Sequence, residues 1–421
     1  MNFIDLIKNG GLFCDGDWIE KKDQDPNGTV RLIQLADIGV CEFKNKSARF
    51  LTRQKCEELK CTYLKKGDIL IARLPEPLGR ACIFPLEGEY ITAVDIAILR
   101  IENTEVNNEY LLYLINSSAF RNAIKQYETG TTRKRISRRN LEKINFKLPS
   151  LEDQNRIVDQ IEEWFCKLDN GVETLNKTKE QLKVYRQAIL KKAFEGEFTK
   201  LKHEKISIDI EGCSKEEIKN LQEIPSEWKY VHLNKLGDLG RGKSKHRPRN
   251  DARLFEDGKY PFLQTSEVKN ADKYITEYSK MYGEFGLAQS KLWPKGTLCI
   301  TIAANIAETA FLGIDACFPD SVVGFTSNEN TNPFYIKYFI ESQKLRLWAF
   351  APATAQKNIN LDTLENLVVP YCSREEQDEV VKEIESRMSV CDDIDRTIDL
   401  SLQQAEALRQ SILKKAFEGD L

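Results

Sequence analysis

Two ten-residue stretches of this 421-residue chain, TTRKRISRRN (131–140) and RGKSKHRPRN (241–250), each carry five cations and no acid. Arginine and lysine at this density neutralise phosphates, and arginine forks also match guanine edges. The first stretch offers Thr131, Thr132, Arg133, Lys134, Arg135, Arg138 and Arg139 as DNA contacts; the second offers Arg241, Lys243, Lys245, His246, Arg247 and Arg249. Two other segments could do different chemistry. GDLGRGKS (237–244) fits the phosphate-loop pattern, and NPFY (332–335) lies one residue from the N-P-P-[FY] sequence of adenine methyltransferases. A working phosphate loop runs straight into a helix, whereas here Lys-His-Arg-Pro-Arg-Asn follows, and Pro248 would break that helix. Asn332 reads better as a helix N-cap with Pro333 in the first turn. A DNA-acting methyltransferase or nucleotide hydrolase built on these motifs stays the alternative to a binding protein, and a coiled-coil adaptor without DNA is a third reading.

The net charge of −3 conceals segregation, because the acidic balance sits on the two segments expected to be helical. Eleven cysteines include no C-x2-C pair and the three histidines form no paired motif, so buried reduced thiols and no metal site are expected. Trp18, Trp228, Trp293 and Trp348 are expected to be core or loop anchors. No apolar run approaches the ~20 residues of a membrane span, and no basic leader precedes the first acid, so a cytoplasmic protein without membrane contact is expected.

An internal repeat positions these residues. RQAILKKAFEG (186–196) returns as RQSILKKAFEG (409–419), an offset of 223 that also pairs Ser150 with Ser373, Gln154 with Gln377 and Asp169 with Asp392. Ser150 with Asp153, and Ser373 with Glu376, predict helix starts; Gly196 and Gly419 predict the stops. Between them runs a heptad seam: Val158, Ile161, Phe165, Leu168, Leu175, Leu182 and Ile189 in the first copy, and Val381, Ile384, Met388, Ile398 and Ile412 in the second. The two helices are expected to pack antiparallel as a spacer.

The segments between them match more faintly. VRLIQLADI (30–38) pairs with YPFLQTSEV (260–268), YLKKGDILIARL (63–74) with LWPKGTLCITIA (292–303), and NNEYLLYLINS (107–117) with NPFYIKYFIES (332–342). Each unit reads as β-strands with Lys-Gly turns, a short helix, a polar loop and a last strand before the spacer. Opposite the first basic stretch the second unit has Gln356, Lys357 and Asn358, able to reach base edges. The expected fold is α+β, a pseudo-twofold repeat of two β-rich globular domains separated by two long antiparallel helices. Its divisions are a first domain at 1–149, a helix at 150–197, a second domain with its linker at 198–372 and a second helix at 373–421.

Taken together, the repeated RQ-x-ILKKAFEG helix end, LPSLEDQNRIV (148–158) with REEQDEVV (374–381), YLKKGDILIAR (63–73) and GTTRKRIS (130–137) resemble specificity subunits of type I restriction–modification systems. The first unit departs from its partner in lacking the W-K-Y-V-x-L lead-in of 228–233. The resemblance spans essentially the whole chain. It implies two target-recognition domains, each reading half of an asymmetric interrupted site on double-stranded DNA, with the helices fixing the gap and docking the methyltransferase subunits. It further implies two modification subunits and restriction subunits as partners. S-adenosylmethionine, ATP and Mg would reside on those partners, leaving no cofactor and no catalysis on this chain.

Overall fold

The computed structural model describes the chain outside residues 9, 75–76, 132, 200–202, 205–220, 222, 351–357 and 419–421. It divides into two compact units, Met1–Lys177 with Ile398–Leu421, and Thr178–Thr397. In the first unit the strands Gly11–Asp15, Ile96–Ile101, Ile69–Ala72 and Ala81–Ile83 form an antiparallel sheet in that order. The Ile69–Ala72 strand, Ile-Leu-Ile-Ala, is buried throughout, as a strand covered on both faces requires. Its Lys-Gly entry turn works because Gly67 takes φ +94°, a region closed to most side chains. A smaller sheet sets Val30–Ile33 parallel to Tyr90–Thr92, and Asn107 caps the helix Asn108–Asn116.

The second unit repeats the four central strands of this plan. Gly237–Arg241, Val322–Ser327, Leu298–Thr301 and Thr309–Leu312 follow in the same order, and Gly296 (φ +87°) turns into the buried strand. A parallel contact again joins Tyr260–Phe262 to Ala316–Cys317. Asn332 caps the helix Pro333–Ser342, as its sequence suggested. The second unit adds Tyr274–Ile275 beside Thr309–Leu312.

One expectation fails in the first unit. The last strand before the spacer exists in the second unit, where Val368–Tyr371 pairs with Lys229–His232. In the first unit the helix Phe3–Leu6 precedes Gly11–Asp15, and residues 145–148 pair with no strand among the described residues; Phe146 exchanges backbone hydrogen bonds with Met1.

The long helices span Leu151–Phe194 and Arg374–Glu418, 44 and 45 residues, each about 66 Å at ~1.5 Å per residue. Ser150 Oγ accepts from Asp153 N, and Ser373 Oγ from Glu376 N, so both predicted caps form. Gly196, at φ +79°, follows the end of the first helix; Gly419 lies outside the described residues. The seam faces inward: Val158, Ile161, Leu182, Ile189, Val381, Ile384, Ile398 and Ile412 are buried, while Phe165, Leu168, Leu175 and Met388 are half-buried. Each unit holds an antiparallel stretch of the pair. In the first, Ile161 and Ile412 share one core and Arg409 pairs with Asp169 while lying over the Phe165 ring at 5.0 Å. In the second, Arg186 pairs with Asp392 at 2.6 Å and Lys179 with Asp395 at 3.7 Å. Arg186–Asp392 is the Arg409–Asp169 pair with its members exchanged under the 223-residue offset.

A duplicated joint fixes each domain to its helix. Gln154 is 0% exposed; its Oε1 accepts from Asn107 N at 2.9 Å and its Nε2 donates to Glu105 O and Pro149 O at 3.1 and 3.0 Å. Gln377, also 0% exposed, accepts from Asn332 N at 2.8 Å and donates to Asn330 O and Cys372 O at 3.2 and 2.9 Å. The capping asparagines complete it, Asn107 donating to Asn155 Oδ1 and Asn332 to Asp378 Oδ1.

Candidate nucleic-acid interface

In the first unit, the basic stretch forms a closed loop. Thr129 and Arg135 exchange two backbone hydrogen bonds of 2.9 Å, and Gly130 (φ +94°) turns where a Cβ would lie 2.4 Å from Arg133 O. Buried Ile136 then donates to Arg73 O, at the end of the Ile69–Ala72 strand. This leaves Thr131, Arg133, Lys134, Arg135 and Arg139 exposed. Among the described residues no carboxylate pairs with Arg133, Arg135 or Arg139, whereas Lys134 pairs with Glu128 at 2.7 Å. Arg138 is placed differently. It is half-buried, ion-paired with Glu142 and with Asp15 at 3.6 Å, and fastens the loop to the sheet. Thr132 lies outside the described residues.

The second unit's stretch leaves the end of the Gly237–Arg241 strand. Gly242 must be glycine there, since a Cβ would stand 2.3 Å from Pro319 O. Arg241 donates to Asp320 O and Arg249 pairs with the Asp320 carboxylate at 2.8 Å. Arg247 donates to Ser244 O and His246 O, folding the turn. Half-buried His246 meets Asp251 at 2.7 Å; the neighbouring Arg253, then His246, hold that carboxyl well below the usual aspartate range. Lys243 and Lys245 are exposed, and no carboxylate among the described residues pairs with them. Asn358 is exposed and bridges to Ala303, with Ile359 donating to Ile302 O at 3.0 Å. Gln356 and Lys357 lie outside the described residues.

The clusters occupy different places in the two sequences yet arrive at the same end of the repeated sheet. In the first unit that end holds Asp15, Arg73 (3.4 Å from Asp15) and the loop docked through Ile136. In the second it holds Arg241, Ile302 and the Asn358–Ile359 segment docked on it. Gly16 N and Gly242 N donate to Ile96 O and Val322 O, the equivalent first residues of matching strands. One unit supplies its positive charge from the returning loop, the other from the loop after the first strand.

The competing motifs fare poorly. The segment after Ser244 is turn and loop, so no helix N-terminus faces GDLGRGKS. Asn332 is buried, and its side chain is committed to Phe334 N, Tyr335 N and Asp378. The tryptophan expectation needs correcting: Trp228 and Trp293 are buried, but Trp348 is exposed and Trp18 is 72% exposed. Trp18 sits just past Gly16 and Asp17, whose backbones bond to the Thr92–Ile96 turn, so no core reaches it. Cys166, on the first long helix, is also exposed, against the expectation of burial. The sequence reading missed Arg73, Arg253 and the cationic tip Lys44–Lys46, whose isolated positions give no run to notice.

Two repeated β-rich units with cations gathered at matching sheet ends, on paired long helices, define a duplicated DNA-recognition protein. The family profile described as Type I restriction modification DNA specificity domain matches residues 7–184 and 225–404, and the chain belongs to this family. The EcoBI specificity subunit of a type I restriction enzyme from Escherichia coli is 24% identical over 430 residues, covering 100% of this chain and 85% of that one. A MjaX specificity subunit from Methanocaldococcus jannaschii is 23% identical over 84% of this chain and 78% of its own length. The fold is shared with a chain of a solved type I R-M system (TM-score 0.67, 18% identity, 98% of each chain). It is shared too with the HsdS subunit from Thermoanaerobacter tengcongensis (TM-score 0.53, 18% identity, 99% and 98% covered).

Proposed function

We propose that this chain is the DNA-specificity subunit of a type I restriction–modification complex, each unit reading one half of a bipartite, asymmetric double-stranded site. The observation that carries this is the cationic sheet end built in both units from unlike residues: like architecture supports a like task, and unlike side chains support unlike half-sites. Arg133, Lys134, Arg135 and Arg139, with Thr131 and Thr132, contact DNA from the first unit. Arg241, Lys243, Lys245, Arg247, Arg249 and Asn358, with Gln356 and Lys357, do so from the second. Arg138 and His246 hold their loops in shape.

The continuous helices set the spacing between half-sites and dock two modification subunits. Exposed apolar side chains on the helices suit that docking, Trp164, Leu400 and Leu408 in the first unit and Val184, Tyr185, Val390 and Ile394 in the second. Methylation and cleavage belong to the modification and restriction subunits, which would carry S-adenosylmethionine, ATP and Mg; this chain supplies binding and position, in the cytoplasm. Among the described residues no helix is long and apolar enough to cross a membrane.

The test is DNA binding by the assembled complex against salt, on the site mapped from methylated adenines in the native genome. Replacing Arg133, Arg135 and Arg139 with alanine should flatten the log–log salt slope by about 2.7, three phosphate contacts at about 0.9 each. An unchanged slope and affinity would refute the interface. Turnover of S-adenosylmethionine or ATP by this chain alone would refute its placement as a non-catalytic subunit. Inserting a heptad within 170–185 should lengthen the recognised gap, and an unaltered site would refute the ruler.

A further inference from the structure

We infer that the loop Gly39–Ser47 is a second reading element of the first unit, with Asn45 donating to base edges and Lys44 and Lys46 gripping phosphates. The inference rests on the DNA-recognition reading above and adds residues that no basic run marks. The loop emerges at the cationic sheet end. It follows Val30–Ile33, whose parallel pairing with Tyr90–Thr92 carries both chains toward the turn at Val94, where Arg73 docks. Arg80, across the adjoining hairpin, donates to Ile38 O and Leu35 O at 2.9 and 3.1 Å, and Cys41 N donates to Ala81 O at 2.9 Å.

One buried carboxylate builds the loop. Asp37, 0% exposed, receives the backbone N–H groups of Lys46 and Ser47 on Oδ1 at 2.6 and 2.8 Å; Gln34 N and the Ser47 hydroxyl go to Oδ2. Arg31 closes the ring, 3.6 Å from Asp37, and its guanidinium donates to Asn45 Oδ1 at 2.5 Å. Asn45 sits at φ +51°, which holds the tip outward. Lys44, Asn45 and Lys46 are all exposed, and among the described residues no carboxylate pairs with either lysine.

The chemistry follows from this geometry. With its oxygen engaged by Arg31, the Asn45 amide is oriented with both N–H donors uncommitted among the described residues, and these suit acceptors in the major groove: purine N7, guanine O6 or thymine O4. Flanking lysines supply the phosphate-directed charge that fixes register. The backbone is already ordered by Asp37, so little conformational freedom is lost on binding.

The second unit repeats the anchor with other side chains. Glu267 accepts from Gln264 N at 3.1 Å and from Ser279 Oγ at 2.7 Å, closing a segment that carries exposed Tyr274 and Tyr278 along a cleft of about 660 Å³. A constant acid beneath a variable tip is the arrangement expected where two units read different bases.

The experiment uses the complex assembled with its modification subunits and DNA bearing the mapped site. K44A/K46A should make the salt slope shallower by about 1.8, two contacts at about 0.9 each. Asn45→Gly removes the amide and keeps a backbone that tolerates positive φ. In the methylated-adenine map it should make one base pair degenerate in the half-site of the first unit, with the other half-site unchanged. Wild-type slope in K44A/K46A with an unaltered map in Asn45→Gly overturns the inference; so does loss of subunit assembly at unchanged DNA affinity. If those variants are silent while the Arg133, Arg135 and Arg139 variant flattens the slope, only this loop is discarded. If the wild-type complex shows no sequence-selective binding, the functional assignment itself falls.

Discussion

Replacing Gln154 with leucine tests how the reading units are held. The side chain is wholly enclosed and makes three hydrogen bonds, all to main-chain atoms: it accepts from Asn107 N and donates to Glu105 O and Pro149 O. Leucine is close in size, so the cavity left is small. The substitution leaves one N–H and two carbonyls, all at part-buried positions, without these partners. Each orphaned group costs about 1–3 kcal/mol, and some relief comes from partial rehydration and the apolar side chain, so a net loss of about 3–5 kcal/mol is expected. The assay is urea unfolding of the purified chain, followed by far-UV circular dichroism and tryptophan fluorescence. Gln377→Leu, at the equivalent joint, should lose a similar amount from the second unit. Since the two glutamines share no partner, the double variant should sum the two losses. A loss below about 1 kcal/mol in either single variant would refute the claim that these bonds carry the joint.

Four further outcomes are expected. Gly171→Ala, in the first long helix with nothing near its added Cβ, should stabilise the chain by about 0.5–1 kcal/mol in the same unfolding assay. Gly242→Ala drives a Cβ into the Pro319 and Phe318 carbonyl oxygens; it should cost about 2 kcal/mol or more and weaken DNA binding by the complex. Burial pushes the Cys41 thiol up to about 12, so at pH 8 iodoacetamide should label exposed Cys166 well before Cys41, read by peptide mass spectrometry. Asp251, held low by Arg253 and His246, stays ionised as pH falls past the ordinary aspartate value, and its contribution is lost only in stronger acid. Limited proteolysis around Lys243–Arg253 should therefore match at pH 4.5 and pH 3.5.

The helices were legible because their signals are local. Ser150 with Asp153 and Ser373 with Glu376 mark their starts in four residues, the seam recurs every seven, and the 223-residue offset needs only comparison of the chain with itself. The Lys-Gly turns and the Asn332 cap were equally local. What escaped depends on what folding brings near. Arg138 looked like any other cation of its run until Asp15 and Glu142 closed on it. Trp18 looked like a core or loop anchor because size and hydrophobicity cannot tell that its neighbours turn it outward. The last strand of the second unit forms only because Lys229–His232, far earlier in the chain, folds beside it, and Lys44–Lys46 stand out only because Asp37 folds beneath them.

The joint glutamines address main-chain atoms alone, so their part of the coupling does not depend on which side chains the attached reading unit carries. A unit that keeps that N–H, that carbonyl and a capping asparagine would plug into the same socket. Heads could then be exchanged between chains of this kind as whole cassettes, and new target combinations would arise by shuffling, without redesign of the rods.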